Sequence, residues 1–146
     1  MERHGTIDEQ LADAELFHGL SPRQLRTISS LMTRVDLTSG TVITKEGRPG
    51  SQFLVLLEGV VAIGACDRVI ATRGPGDFLG EISLLGARVQ TATALATTPV
   101  TAAVFSKSDF WSMLGEIPET GDILRTTMYE RLAEVAARPH GDLRAA

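Results

Sequence analysis

The sequence predicts a mostly β domain with helices at both ends. Apolar residues recur at helical spacing up to about residue 31, in short β-branched segments from 33 to 105, and at helical spacing again afterwards. Closely spaced glycines mark turns in the middle zone, a rhythm typical of a β-sandwich or barrel. The 146 residues suffice for one substantial core, so we expect a single domain over residues 1–138 and a tail over 139–146. Within that domain we expect helices over 6–31, strands over 32–106 and helices over 107–138.

The helical start divides into two segments. Residues 11–17 have a loose helical spacing, and Gly19 is placed to end that helix. Ser21-Pro22-Arg23-Gln24 then offers a capping hydroxyl, a proline at the first helical position and a glutamine three residues after the cap. This pattern predicts a second helix from Pro22, whose apolar face carries Leu25, Ile28 and Leu31.

The middle zone contains seven segments with the composition of short strands. They cover residues 34–37, 41–44, 53–57, 60–63, 69–72, 90–96 and 101–105. We interpret residues 45–50 as a long hairpin connection and residues 57–60 as a tight or bulged junction between strands.

Two helices are predicted after the strands. Ser106 or Ser108 is suited to cap the first, which Gly115 would end before Pro118 resets the backbone. The second should run over residues 120–137 and stop before Pro139. Its apolar stripe, which packs on the strands or pairs with a second copy, consists of Ile123, Leu124, Met128, Leu132, Val135 and Ala136.

Composition argues against several classes of function. Fourteen basic and 18 acidic residues give a net charge of -4, which offers no general attraction to nucleic acid or to a membrane surface. A single cysteine, Cys66, cannot form an internal disulfide, and no apolar run reaches the length of a membrane span. We therefore expect a soluble cytoplasmic protein without a signal peptide.

Residues 74–86 carry the strongest chemical signal, because a glycine-rich run there leads into a short helical turn. Backbone N–H groups at the start of such a turn suit an anion, and Gly80 permits close approach to the main chain. Glu81 would repel a phosphate but accept hydrogen bonds from a sugar hydroxyl, so phosphate and ribose together suggest a nucleotide. Taken alone, the stretch is better explained by turn glycines and a solvated Glu81 favoured by the helix dipole.

A resemblance over residues 16–132 favours the nucleotide site over that simpler explanation. Several segments resemble the cyclic-nucleotide-binding domains of catabolite-activator (Crp-Fnr-type) regulators, cyclic-nucleotide-dependent kinases and gated channels. Residues 16–21 resemble the opening helix and turn of that family, residues 40–43 and 46–47 its first hairpin, and residues 53–59 its central strand. Residues 78–85, Phe-Leu-Gly-Glu-Ile-Ser-Leu-Leu, resemble the first half of the phosphate-binding cassette of that family. The resemblance implies a jelly-roll-like β-roll, or double-stranded β-helix, with helices at both ends.

The resemblance also implies roles for cassette residues. Glu81 would accept the ribose 2′-hydroxyl, and the backbone amides of Gly80, Ile82 and Ser83 would hold the cyclic phosphate. The residues from 78 to 85 are called the cassette below.

The second half of the family pattern is altered in this chain. Gln90 occupies the position at which the family usually has its phosphate-binding arginine, and a neutral amide cannot neutralise charge. Arg88 lies two residues earlier and would project from the same face of an extended strand, while Thr91 would donate a further hydrogen bond to the phosphate. Arg88 is thus either the replacement cation or a solvated loop residue.

Two functions therefore stay open. In one, a regulatory domain binds a cyclic nucleotide, cyclic AMP rather than cyclic GMP, and signals through its C-terminal helix to an unidentified protein partner. In the other, a degenerate interaction or dimerisation module binds no nucleotide because of Gln90. Either could form a homodimer through the last helix, with Tyr129, Leu132 and Val135 near the seam.

An enzyme, a metal site and a cofactor are not expected. The three histidines, His4, His18 and His140, lie outside the strand zone and so cannot converge as metal ligands inside it. Direct DNA binding is not expected either, because no two helices of a helix-turn-helix follow Pro139.

Overall fold

A computed structural model describes residues 7–87 and 89–136. Four α-helices flank the strands: α1 (Ile7–Ala12), α2 (Pro22–Ser30), α3 (Lys107–Glu116) and α4 (Glu119–Ala136), with a 3-10 turn at Glu15–Phe17. The strands are β1 (Thr33–Leu37), β2 (Val42–Thr44), β3 (Gln52–Glu58), β4 (Val61–Ala65), β5 (Arg68–Arg73), β6 (Phe78–Leu79), β7 (Thr93–Ala96) and β8 (Val100–Ser106). The predicted order of helices, strands and helices is confirmed.

The strands form two antiparallel sheets, in the orders β1-β8-β3-β6 and β2-β7-β4-β5. Because β2 and β3 lie in different sheets, residues 45–50 cross between the sheets, and the predicted hairpin connection is wrong. Turn residues indicate that the chain reverses, but they do not choose the partner strand. The junction predicted over residues 57–60 is tight, since only Gly59 and Val60 separate β3 from β4, and β3 has a register shift between Leu56 and Glu58 where it pairs with β8.

Strand β3 is buried on both faces and connects two halves of the core. Phe53 and Val55 face the helices, where they pack with Phe105 and Phe110. Leu54 and Leu56 face the second sheet and pack against a cluster that includes Ile63 and Leu79. A continuous apolar run of this length is the expected sequence of a fully buried strand.

Several helix ends differ from the predictions. Residues 11–17 form the end of α1 and the 3-10 turn instead of one helix, although Gly19, at φ 83°, does end the segment. Helix α3 is capped by Ser106, which accepts a hydrogen bond from the N–H of Asp109 (3.0 Å). It continues through Gly115 to Glu116, because one glycine in a last turn costs little when its neighbours are packed. Helix α4 begins at Glu119, and its predicted end at residue 137 lies outside the described residues.

No helix within the described ranges combines the length and apolar character that crossing a membrane requires.

The capping box at the start of α2 is present as predicted. The Oγ of Ser21 accepts from the Gln24 N–H (3.1 Å), and the Gln24 Oε1 accepts from the Ser21 N–H (2.9 Å). Ser21→Ala should lower the free energy of unfolding by about 1 kcal/mol, because the Gln24 N–H loses its side-chain acceptor. Urea unfolding monitored by circular dichroism measures the change, and Ser21→Asp, which keeps an acceptor, serves as the control. An equal loss in both variants would contradict the cap.

Candidate ligand-binding site

A cavity opens between the sheet β2-β7-β4-β5, the cassette and the last turns of α4. With α4 in this position the cavity volume is about 50 Å³, much smaller than that of a usual small-molecule site. The apolar lining residues are Ile63, Ile70, Leu79, Ile82, Ala92, Ala94 and Val135. The polar ones are Thr44, Arg73, Glu81, Gln90, Thr91, Arg131 and Glu134.

The cassette is fixed to β3 before it turns. Strand β6 pairs with β3 through Leu79 and Phe78, and Gly80 then adopts φ 97°. A Cβ at Gly80 would collide with the main-chain oxygen of Gln52, so both the conformation and the space require glycine there. A helical turn follows at Glu81 and continues as a π-helical turn over Ser83–Ala87, which confirms the predicted turn.

Glu81 is fully buried, so the alternative of a solvated charge is wrong. The Nη1 of Arg131 in α4 lies 2.9 Å from each carboxylate oxygen of Glu81 and donates to the carbonyl oxygen of Phe78 (2.6 Å). The same guanidinium lies 4.7 Å from the centre of the Phe78 ring, a cation–π arrangement. One arginine of the last helix therefore contacts the floor of the cavity through three kinds of interaction.

Burial and charge oppose each other in this pair. Burial raises the pKa of Glu81 above its ordinary value, and the Arg131 charge opposes that rise. Burial likewise lowers the pKa of Arg131, with Glu81 opposing. Each group thus needs the other in order to stay charged inside the protein.

A second ion pair joins β5 to α4 one turn further along the helix. The Nη2 of Arg73 donates to the Oε1 of Glu134 at 2.7 Å, with side chains 15% and 40% exposed. The Nε of Arg73 is buried and has no hydrogen-bond partner.

The opposite end of the cavity contains hydroxyl and amide groups. A Cβ at Gly50 would collide with the Oγ of Ser83 and crowd the Nε2 of Gln90, so both side chains use the space that this glycine leaves. Ser83 Oγ also donates to the Gly80 carbonyl oxygen (3.3 Å). Among the described residues that line the cavity, this end has no cationic side chain, and Arg73 and Arg131 are both paired with carboxylates.

The strand predicted over residues 90–96 begins only at Thr93, so that its first three residues are not a strand. The main chain of Gln90 is paired with the connection between the sheets: its N–H donates to the Arg48 carbonyl (2.7 Å), and its carbonyl accepts from the Gly47 N–H (2.9 Å). Val89 forms an isolated antiparallel bridge with Pro49, and the position of Arg88 on the same side as Gln90 stays a prediction. Arg88 itself lies outside the described residues.

Five of the predicted site residues line the cavity: Gly80, Glu81, Ile82, Gln90 and Thr91. Ser83 lies behind them, in a groove that it shares with Gly50 and Trp111. Across residues 7–87 and 89–136, no three histidine, cysteine or acidic side chains are grouped as a metal site.

Sequence reasoning missed Arg73, Arg131 and Glu134. Arg131 and Glu134 are three residues apart and thus share one helix face, and they interrupt the apolar stripe between Met128 and Val135. That interruption was the available signal, although charged residues on a helix are usually exposed.

The family model described as "Cyclic nucleotide-binding domain" matches residues 34–116. The chain is similar to the CRP-like cAMP-activated global transcriptional regulator of Mycobacterium tuberculosis, with 28% identity over 131 residues that cover 86% of this chain and 58% of the regulator. It is also 31% identical to the cyclic nucleotide-gated potassium channel mll3241 of Mesorhizobium japonicum, over 87% of this chain and 35% of the channel. It thus spans little more than half of the first relative and about a third of the second.

The fold has a counterpart among solved structures. The catabolite activator protein of Thermus thermophilus superposes with a TM-score of 0.73 at 26% identity, over 83% of this chain and 59% of that one. The match confirms the predicted jelly-roll-like arrangement with helices at both ends.

Proposed function

Because the chain belongs to the cyclic nucleotide-binding domain family, we propose that it is a regulatory domain whose cavity binds cyclic AMP and which signals through α4 to a partner protein. The buried carboxylate of Glu81, directly after the strained Gly80 and at the floor of the cavity, carries this proposal. Arg131 of α4 offsets the cost of burying this acid, so Glu81 links the floor of the cavity to the helix above it.

Glu81 keeps the capacity to bind a sugar while it is paired with Arg131. A carboxylate has about four acceptor positions, and the Nη1 of Arg131 contacts one on each oxygen, which leaves others available. The ribose 2′-hydroxyl takes a remaining position in our proposal. The amides of Gly80, Ile82 and Ser83 hold the phosphate, and the base rests against the apolar wall that includes Ile63 and Ile70.

Helix α4 is the element that senses occupancy in this proposal. Arg131, Glu134 and Val135 form part of the cavity wall, so a ligand that contacts them favours one position of the helix. Tyr129 is 66% exposed on the same helix, which leaves it available for a second copy of the chain or for another protein. We propose cyclic AMP before cyclic GMP because the M. tuberculosis relative is named as cAMP-activated. We propose a cytoplasmic location and no catalytic role.

The degenerate module is the second candidate, favoured by Gln90 at the phosphate end. Without a cation there, a cyclic phosphate would lose a charge-assisted hydrogen bond worth about 1.5–3 kcal/mol. Arg88 is our candidate for a replacement cation, on the sequence alone.

Titration calorimetry distinguishes these candidates. The intact chain should bind cyclic AMP more tightly than cyclic GMP, and Arg88→Ala should weaken cyclic AMP binding by about tenfold or more, since it removes a charge from the phosphate end. Arg34→Ala, which removes an exposed arginine from β1 in the other sheet, is the matched control and should change nothing. Absence of heat at millimolar cyclic AMP would favour the empty module. Unchanged binding by Arg88→Ala would exclude Arg88 from the site.

A further inference from the structure

The second half of α4, residues 125–136, covers the cavity without contributing to the core. The buried residues of α4 are Thr120, Gly121 and Leu124, and no residue from 125 to 136 is buried. We call residues 125–136 the closing segment. Segments with few buried apolar contacts open at low free energy, so polar contacts must hold the closing segment in place.

The polar contacts described between the closing segment and the strands or the cassette are made by one face of the helix, whereas the Arg125–Asp122 pair lies within α4 itself. Arg131 reaches Glu81 and the carbonyl of Phe78, while Glu134, one turn later, is paired with Arg73. Since residues three apart lie side by side on a helix, the position of Glu134 constrains the position of Arg131.

Arg73 is anchored where it can impose that constraint. It is the last residue of β5 and pairs with Val61 of β4, so its main chain is part of the rigid sheet. Its side chain is only 15% exposed, and its buried Nε has no hydrogen-bond partner. Burying an unpaired donor costs more free energy than burying an apolar side chain at the same position would. The observed interaction that offsets this cost is the 2.7 Å contact with Glu134.

The charges around Arg131 strengthen this argument. Burial lowers the pKa of Arg131, Glu81 opposes the effect, and the nearby positive charge of Arg73 lowers the pKa further. Arg73 and Arg131 therefore repel each other. The negative charge of Glu134, which is paired with Arg73, offsets that repulsion.

From these contacts we infer that Arg73 is a positioning residue, whose ion pair with Glu134 holds the closing segment over the cavity and places Arg131 on Glu81. Its relevance to ligand binding rests on the proposed function, but the positioning itself does not require a ligand. The Arg73–Glu134 pair sets how often the closing segment is open in the free protein, and an open segment removes Arg131 from the site.

Hydrogen exchange of the ligand-free chain, followed by mass spectrometry, tests this inference. Arg73→Met and Glu134→Gln should each speed exchange across residues 126–136 by roughly three- to tenfold and leave β3 and β8 unchanged. The double variant should exchange no faster than either single variant, because both changes remove the same contact. Arg73→Lys should keep the slow exchange of the original chain, since the ion pair uses one nitrogen and one oxygen.

Helix α4 also provides a matched control. Arg125 and Asp122 form an ion pair at 2.6 Å with side chains 56% and 83% exposed, so Arg125→Met should leave exchange in the closing segment unchanged. Unchanged exchange in Arg73→Met and Glu134→Gln, or additive effects in the double variant, would overturn the inference. If these shifts occur but calorimetry detects no cyclic nucleotide, the positioning role stands and the proposed ligand fails.

Discussion

Arg131→Met is expected to lower the free energy of unfolding by about 3–5 kcal/mol at neutral pH, because it leaves the carboxylate of Glu81 buried without a partner. Glu81 is fully buried, and Arg131 lies 2.9 Å from both of its oxygens. Methionine fills similar space along the side chain but cannot offset the charge. Urea unfolding at a series of pH values measures the loss.

The loss should depend on pH in a definite direction. Burial already raises the pKa of Glu81 in the folded protein, and removal of Arg131 raises it further. A folded state with the higher pKa binds the proton more tightly than the unfolded state does. The stability contributed by protonated Glu81 is therefore complete below the unfolded pKa of about 4.3 and is lost as pH rises through the folded pKa. The free energy of unfolding of Arg131→Met should accordingly be closest to that of the original protein in acid and furthest below it at alkaline pH.

The double variant Glu81→Gln/Arg131→Met is the control for this pair. It removes both charges, so it should recover most of the stability and lose the additional pH dependence. A pH-independent loss in Arg131→Met, or a double variant as unstable as the single one, would show that packing rather than charge explains the effect.

Gln90→Arg is expected to strengthen cyclic AMP binding by about ten- to a hundredfold, which corresponds to a charge-assisted hydrogen bond of about 1.5–3 kcal/mol. Gln90 lines the end of the cavity that has no cationic side chain among the described residues, beside the space left by Gly50. An arginine there would supply the charge and a forked set of donors for the phosphate. Calorimetry at fixed salt measures the gain.

Two controls separate phosphate binding from other effects. Gln90→Met changes the residue without adding charge and should give no gain. Adenosine, which has no phosphate, should bind the original chain and Gln90→Arg equally. An equal gain for adenosine, or no gain for cyclic AMP, would contradict a phosphate site beside Gln90.

Local signals in the sequence predicted local structure well. The Ser21–Gln24 capping box and the turn after Gly80 both appear in the structure, because each depends on neighbouring residues. The pairing of strands was harder to predict: β2 pairs with β7 about fifty residues later, and nothing in residues 45–50 encodes that choice. Likewise, Gln90 is held by Arg48 and Gly47 rather than in a strand, which only the tertiary structure determines.

The cavity was predictable on one side only. Gly80 and Glu81 belong to a recognisable sequence motif, whereas Arg73, Arg131 and Glu134 are single charged residues on a strand and a helix. Side chains of that kind are usually solvated, and the low exposure of Arg73 and Arg131 here depends on how α4 crosses the sheet. The fully buried Glu81 was expected as an acceptor of a sugar hydroxyl, but its internal partner was not foreseen.

The closing segment has no buried residue, and this sets what its movement responds to. Opening frees no buried residue of the segment itself and uncovers only the apolar lining of the cavity, so it should carry a smaller heat-capacity change than unfolding of the core. The Arg73–Glu134 contact is partly exposed and is therefore open to screening by dissolved ions. Ionic strength should thus tune the resting position of α4, while the two apolar clusters keep the fold unchanged.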